Sequence, residues 1–590
     1  MTNPSGDTAA QSPKSSYYSN VNQDLLQIVP ATAERVYEFG CGEGRLGWAY
    51  KTWNPGAEYI GIELFPDAAA KAREVLDAVH EGSAEDPSVT TAALERHGLA
   101  DALVYGDVLE HLVDPWAALK DHLRLLKDDG VVCICVPNAQ HWMLSLNLMA
   151  GHFEYQDSGL HDRTHLRFFT GRSLRRFVEG AGLTMKKLHR RRIGTKPPAE
   201  LEQICRTLAD AKGVPPQDLH NDLLTFQYVV QAQRPTATPP MQIDFKKLAD
   251  RGGFNFTRVA APARAFNSVP GVSVAVHGET ASISAHPEGP NIFVWQRPIL
   301  RLNRDPAQIE ILRRRRKLIV TDFDDDPDLW REIPENRYLS FLGAHVVQVS
   351  TESLVQKIKQ WNPNTFLVPN RVPQIFSYAE ARAQSEPNTI FIGGFNRGPD
   401  FEAFAETVNA FAARSARDWR FLVVGDETIF SALTMPNKEF FRILPYDQYM
   451  AVMRRADLAL LPCADSAVNA HKSNLKFMEA AAGATVAIAS RNVYGASVSD
   501  GATGFLFDTP DDLARVLEQI DGHPDLEPIR ARAYDQARRD FALSPSIAGV
   551  LDLYRTLYDQ YDALDRQLAE RLATLLDRPA GGASGGGTAG

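Results

Sequence analysis

The sequence predicts an α/β protein made of several parallel sheets, each with helices on both faces. Three observations carry this. Short apolar segments alternate with amphipathic stretches through most of the 590 residues, the pattern of strands joined by crossover helices. At 36–65 one such segment runs directly into three alternating glycines and then a helix. The length also exceeds what one core can organise, so roughly three or four units are expected.

The first unit is read over 17–235. Its strands are RVYEF, YIGIEL, ALVYGD and GVVCICVP, with LLTFQYVVQAQR (223–234) as the last. PTATPPMQ (235–242) is a Pro/Thr linker. A smaller unit follows over 236–375, with NIFVWQ, KLIVTDF, HVVQVS and TFLVP as strands. Alternation restarts over 376–542 with TIFIGGF, RFLVVGD, FFRILPY, LALLP and TVAIAS, separated by helical stretches. The leucine spacing of 543–576 reads as one or two packing helices. The tails 1–16 and 577–590 read as disordered, the first polar without the apolar stretch of a secretory signal, the second Gly-rich.

Composition narrows the function. A 44% hydrophobic, 23% charged chain is ordinary for a globular protein, and a net charge of −10 argues against nucleic acid as the main partner. The five cysteines show neither zinc spacing nor a disulfide framework, which fits a reducing cytoplasm. Cys133 and Cys135 are assigned to opposite faces of their strand. No apolar run reaches the length of a membrane span.

The chemistry concentrates first in VYEFGCGEGRLGWAYKTWNPGAEYIGIELF (36–65). Gly40, Gly42 and Gly44 let backbone approach a ligand without a Cβ in the way. Glu63 ends the second strand, placed to accept hydrogen bonds from ribose hydroxyls. Gly42, Gly44 and Gly47 also satisfy a dinucleotide spacing. Glu38 decides between the two, because a carboxylate at the mouth of the loop repels a pyrophosphate and suits the cationic methionine end of S-adenosylmethionine (SAM). The segment resembles the class I SAM-dependent methyltransferases, and DVLEHLVDPWAALKDHLRLLKDDGVVCICVPN (107–138) is similar to that family's next strand-end motif, helix and strand. The resemblance implies SAM as methyl donor, held by Glu38, Gly40, Gly42, Gly44, Glu63 and Asp107.

A hydroxyl acceptor needs a base, since an alcohol is a weak nucleophile. His111, after the DVLEH motif, and His165, in GLHDRTHLRFFT, are the candidates, with His161 a third. Asp107, Glu110 and His111 loosely resemble an acid/acid/His cluster that binds a divalent ion in some O-methyltransferases. No metal is assigned.

A second constellation lies in RRADLALLPCADSAVNAHKSNLKFMEAAAGATVAIAS (454–490). It resembles the donor-binding region of the GT-B glycosyltransferases of family 4, especially the branch of bacterial surface-polysaccharide clusters. FIGGFNRGPDFEAF (391–404) and LVPNRV (367–372) are similar to that family's first donor-domain loop and to the strand and turn closing its first half. The resemblance implies two further Rossmann-like lobes after a Rossmann-like methyltransferase domain, with Glu479 gripping the ribose of a nucleotide sugar. Ser473 and Asn474 lie near a helix start, where free N–H groups and the dipole favour phosphate. Lys472 and Lys476, four apart, are expected on one helix face, and Arg397 is a further cation for the diphosphate. The sequence departs from the family where His471 replaces its first glutamate and Arg371 replaces a glycine. Asp322, Asp324, Asp325 and Asp326 read as a turn and helix start, not a metal site.

The expectation is a cytoplasmic bifunctional transferase of surface-polysaccharide synthesis. It uses SAM and a nucleotide sugar, without an obligatory metal, and acts on a glycan or lipid-linked glycan. HRRR (189–192) and RRRR (313–316) read as solvated faces, or as contacts to lipid-linked phosphate or the membrane surface.

Overall fold

The computed structural model describes residues 21–194, 197–248, 255–278, 289–394, 397–522 and 525–577. Residues 1–20 and 578–590, and so almost all of both tails, lie outside that set. The chain divides into two compact units, Met1–Thr238 with Asn267–Gly271, and Pro239–Phe266 with Val272–Gly590.

The first unit is built on seven strands: β1 (Arg35–Phe39), β2 (Glu58–Glu63), β3 (Ala78–Glu81), β4 (Ala100–Gly106), β5 (Leu126–Pro137), β6 (Thr184–Arg191) and β7 (Gln227–Gln233). Their order is β3-β2-β1-β4-β5-β7-β6. Neighbours from β3 to β5 run parallel, and β7 runs antiparallel to both β5 and β6. The central strands are mostly apolar and buried along most of their length because both faces are covered. On β5, Val132, Ile134 and Val136 join one core with Phe39, Leu103 and Tyr105. Val131, Cys133 and Cys135 join the other with Val36, Tyr59 and Val104. The two cysteines therefore share a face, contrary to expectation. They are two residues apart, and strand side chains alternate with period two.

The turn Asn267–Gly271 is stitched into this unit. Ser268 Oγ accepts from Ala31 N (2.8 Å), and Gln231 Nε2 donates to the carbonyls of Ser268 (2.7 Å) and Ile28 (2.6 Å). The Lys187 ammonium donates to the carbonyls of Asn267 and Val269, and burial brings its pKa down to about 7. His189 and Arg191 of the first basic run pair with Asp24, and Arg190 pairs with Asp222.

The second unit holds two sheets. The first contains β8 (Met241–Lys246), β9 (Val272–His277), β10 (Asn291–Gln296), β11 (Leu318–Phe323), β12 (Val346–Val349) and β13 (Thr365–Leu367), ordered β13-β12-β11-β10-β8-β9. The second contains β14 (Glu386–Gly393), β15 (Arg420–Val424), β16 (Lys438–Phe441), β17 (Ala456–Leu461), β18 (Val486–Ser490) and β19 (Phe505–Phe507), ordered β16-β15-β14-β17-β18-β19. Every pairing in both sheets is parallel. The helix Tyr561–Leu576 returns to the first of these sheets, packing Leu568, Leu572 and Leu575 against Phe293, Ile309 and Leu312. Its Asp565 and Asp562 pair with Arg313 (2.8 Å) and Arg316 (3.0 Å), so the second basic run is engaged inside the unit.

Gln231 is fully buried, and its amide answers two carbonyls. Gln231→Ala leaves both without that donor, each at about 1–3 kcal/mol. Amide exchange on β7 is expected to speed up at least about tenfold, equivalent to about 1.4 kcal/mol. Unchanged protection in the variant, by hydrogen-exchange mass spectrometry, would show that the stitch carries no stability.

Candidate functional sites

In the first sheet β2 and β3 lie to one side of β1, and β4 onward to the other. Parallel sheets bind ligands outside the carboxyl ends of the strands at such a switch point. The loop leaving β1 there has Gly40, Gly42 and Gly44 at φ +67°, +54° and +76°. A Cβ on Gly40 would lie 2.8 Å from Val108 Cγ2. The loop is fixed from below: Gly40 N donates to the Ile62 carbonyl (2.8 Å), and Glu63 accepts from Gly42 N (2.7 Å) and Phe65 N (2.9 Å). Glu63 is thus a brace of the loop, with one lone pair left on each oxygen for a ligand.

Glu38 is buried, and its Oε2 has no hydrogen-bond partner among the described residues. Burial raises its pKa to about 8, opposed by Tyr59 and reinforced by Glu63. A cationic group arriving here restores the carboxylate and supplies the missing partner. The loop and this orphaned acid fit SAM. Asp107 follows β4 at φ +56°, and its Oδ1 accepts from Gln227 Nε2. Burial raises its pKa to about 6, against the bonds from Cys135 and Gln227.

Two residues further on, a short helical turn, Leu109–His111, presents Glu110 and His111. The ring of His165 meets that of His111 edge-on, centroids 4.9 Å apart. Burial lowers the pKa of both, His165 to about 4, so both are neutral at physiological pH. The ligand atoms of Glu110, His111 and His165 all lie within 4.8 Å of one another. His161 stands apart, with its Nδ1 3.0 Å from the Glu154 carbonyl and its ring stacked on Phe153.

The last sheet has its switch point between β14 and β17. Of the 391–404 loop, residues 395 and 396 lie outside the described set. Arg397 is held by Asp400 (2.7 Å) and Cys463 (3.6 Å) beside the ends of both strands. The helix Leu475–Ala482 begins after Asn474, which makes no side-chain cap, so its first N–H groups are available to an anion. Glu479 on this helix is buried and accepts from Lys476 Nζ (2.9 Å), which also bonds Tyr449 Oη (2.9 Å).

Lys472 does not share that helix face. It sits in extended backbone (φ −68°, ψ 143°) after the short turn Asn469–His471, so helical spacing does not reach it. Its Nζ bonds Asp325 (2.7 Å) beyond β11. Ser473 Oγ accepts from Asn370 (2.8 Å), Ser353 donates to the Ala470 carbonyl (3.2 Å), and Thr351 to that of His471 (3.3 Å). The segment 470–473 is thereby tied to the carboxyl edge of the first sheet of its unit. Asn474 donates to Ser497 (2.5 Å). His471 Nε2 lies 3.8 Å from Asp326.

Asp322 lies on β11 itself rather than in the expected turn, and it and the three acids that follow the strand are each matched by cations: Asp322 by Arg258, Asp324 by Arg297, Asp325 by Lys472 and Arg297, Asp326 by Lys357. Sequence reasoning missed Asp325, Asn370 and Tyr449 as partners of Lys472, Ser473 and Lys476. The run of acids was the available signal for Asp325.

Comparison with known proteins agrees with this division. Residues 16–188 match the family model described as a methyltransferase domain, and residues 405–548 one described as glycosyl transferase-like. The chain is 32% identical over 125 residues to the ubiquinone biosynthesis O-methyltransferase of Xanthomonas axonopodis pv. citri, covering 20% of this chain and 51% of that protein. For the Cereibacter sphaeroides enzyme of that name, identity is 30% over 166 residues, covering 28% and 65%. The chain thus spans half to two thirds of these relatives. Solved structures similar to it include an Archaeoglobus fulgidus SAM-dependent methyltransferase (18% identity, 34% of this chain, 86% of that one, TM-score 0.24). Another is Anabaena HepE with UDP and glucose (12% identity, 57% and 100%, TM-score 0.38). The chain carries a methyltransferase domain and a glycosyltransferase-like domain.

The bracing role of Glu63 sets a sharp test. Glu63→Gln is isosteric, but turning its amide N–H₂ toward Gly42 N–H or Phe65 N–H puts donor against donor. SAM affinity is expected to fall at least about tenfold, since a hydrogen bond to a charged group contributes about 1.5–3 kcal/mol. Calorimetry on the folded variant decides it, and an unchanged affinity rejects the assignment.

Proposed function

We propose that the chain is a cytoplasmic bifunctional enzyme of bacterial surface-polysaccharide synthesis. The first unit methylates a glycan hydroxyl from SAM. The second transfers a sugar from a nucleotide-sugar donor to a glycan or lipid-linked glycan. One observation carries the reading: the candidate residues of each unit gather near the switch point of a sheet, within or beside the region matched to a transferase model, where ligands bind.

In the first unit, Gly40, Gly42, Gly44 and Glu63 would hold the adenosine portion, Glu38 would face the cationic methionine end, and Asp107 would border the site. SAM, when bound, supplies an electrophilic methyl group. The chain's own contribution is a pre-set loop and a buried acid that recovers its charge beside a cation. In the second unit, Glu479 would take the ribose, while the helix start at Ser473 and Asn474, with Lys472, Lys476 and Arg397, would take the diphosphate. Cations there stabilise the charge that builds on the leaving group. The five free, buried cysteines support a reducing compartment, and no described helix is long and apolar enough to cross a membrane.

A second reading keeps only the methyltransferase active. It draws on His471, which stands where the resembling family has an acid, and on the pairing of Lys472, Lys476 and Arg397 with acids of the protein. Calorimetry with SAM and with a panel of nucleotide sugars separates the two. The bifunctional reading requires binding of both classes.

The Lys472–Asp325 pair gives a directional test. A diphosphate must compete with Asp325 for the lysine. Lys472→Ala is expected to weaken UDP binding about tenfold, the scale of one charge-assisted hydrogen bond. Asp325→Asn is expected to strengthen it. If both variants bind UDP like the parent chain, Lys472 is not a donor residue.

A further inference from the structure

We propose that Glu110, His111 and His165 form a binding site for a first-row divalent transition ion, which holds the oxygen of the methyl acceptor. The inference rests on the reading of the first unit as a methyltransferase. It changes the expected role of the two histidines from bases to ligands.

Four observations support it. The three side chains bring their ligand atoms within 4.8 Å of one another, the only such group of three among the described residues. Glu110 is 1% exposed, and its Oε2 has no hydrogen-bond partner. A buried carboxylate oxygen left unmatched is costly, and a cation is the partner that removes the cost. His111 Nδ1 lies 3.2 Å from the Thr164 carbonyl and 3.1 Å from Thr164 Oγ1, which itself donates to Asp162 (2.6 Å). With Nδ1–H donating there, Nε2 keeps its lone pair for an ion, the outer-shell arrangement of a metal-bound histidine.

The fourth observation is how the backbone holds the group together. The Glu110 carbonyl accepts from Leu166 N (2.7 Å) and Arg167 N (2.9 Å), so the segment bearing His165 is fastened to the turn bearing Glu110 and His111. That turn directly follows Val108, which packs on the Gly40 bend of the loop. The three side chains therefore stand beside the crevice assigned to the methyl donor.

Donor chemistry selects the ion. One carboxylate and two imidazoles suit Mn²⁺, Fe²⁺, Co²⁺ or Zn²⁺ better than Mg²⁺ or Ca²⁺, which take oxygen ligands. At bonds of about 2.1 Å, neighbouring ligands sit about 3–3.5 Å apart, so binding draws the three side chains slightly together. Three protein ligands leave positions open for an outside oxygen. A hydroxyl held there gives up its proton to solvent water more readily, as metal-bound water does. The acceptor class is thus an alcohol or phenol with an unhindered oxygen, preferably with a second oxygen beside it to chelate.

The test uses the full chain, stripped with a chelator and dialysed against Mn²⁺, Zn²⁺ or Mg²⁺ separately, with bound metal measured by mass spectrometry. The expected result is about one tightly held Mn²⁺ or Zn²⁺ per chain and no retained Mg²⁺. Glu110→Gln, His111→Ala and His165→Ala should each weaken binding at least about tenfold while SAM affinity, by calorimetry, stays as in the parent. Should those variants misfold, diethyl pyrocarbonate labelling of the parent chain replaces them. Mn²⁺ or Zn²⁺ should protect His111 and His165 and leave the exposed His189 reactive. No retained ion, or unchanged retention in all three variants, or equal labelling with and without ion, overturns the site. If SAM binds and no ion does, only this proposal falls. If SAM fails to bind, the methyltransferase reading falls with it.

Discussion

A parallel strand covered on both faces has no free surface along its length, so its chemistry is confined to its ends. That constraint governs all three sheets. On β5 alternate side chains feed two separate cores, and β14, β15, β17 and β18 divide in the same way. What remains is the carboxyl edge, where a loop must leave each strand. Where strand order reverses, two neighbouring loops part in opposite directions and open a crevice. Gly40 and Asp107 flank one such opening, and Arg397 and Cys463 flank another. The candidate residues lie far apart in sequence and share an edge because the topology leaves them no other place.

This explains which parts were legible in advance. The alternation of apolar segments and helices was readable because it is local, and most strands follow it, but β3, β6, β8, β9 and β19 were not foreseen and β16 starts earlier than FFRILPY. The glycine loop was readable because residues other than glycine adopt positive φ only rarely, and three such angles fall at alternate positions here. The donor segment was only partly readable. Its helix and Glu479 follow from nearby residues, but the direction of Lys472 depends on Asp325, 147 positions away. Spacing alone placed Lys472 on the helix. The chain in fact bends at His471 and enters the helix only after Asn474. The cysteine assignment failed for a simpler reason: period two puts residues 133 and 135 on the same side.

Electrostatics in the second unit is a matter of matched pairs. The acids at and after the end of β11 look in the sequence like a place for a cation, and the structure supplies those cations from the protein itself. Arg258, Arg297, Lys357 and Lys472 come from four different segments. A buried pair such as Arg258–Asp322 adds little net stability over apolar packing, but losing one partner is costly. Such pairs therefore fix how the segments meet. The first unit differs at Glu38 and Glu110, which each keep a buried oxygen without a partner. Both stand on the crevice edge, where an incoming group can complete them.

The return of the helix Tyr561–Leu576 to the first sheet of its unit bears on how the protein is made. Phe293, Ile309 and Leu312 emerge from the ribosome some 250 residues before Leu568, Leu572 and Leu575, which cover them. Domains that are contiguous in sequence can close as they appear. This lobe cannot, because its apolar side waits through the synthesis of the whole second sheet. A growing chain thus carries an open hydrophobic surface while its N-terminal unit is already complete up to Gly271. Chaperone demand during translation should fall on the middle of this polypeptide rather than on either flank.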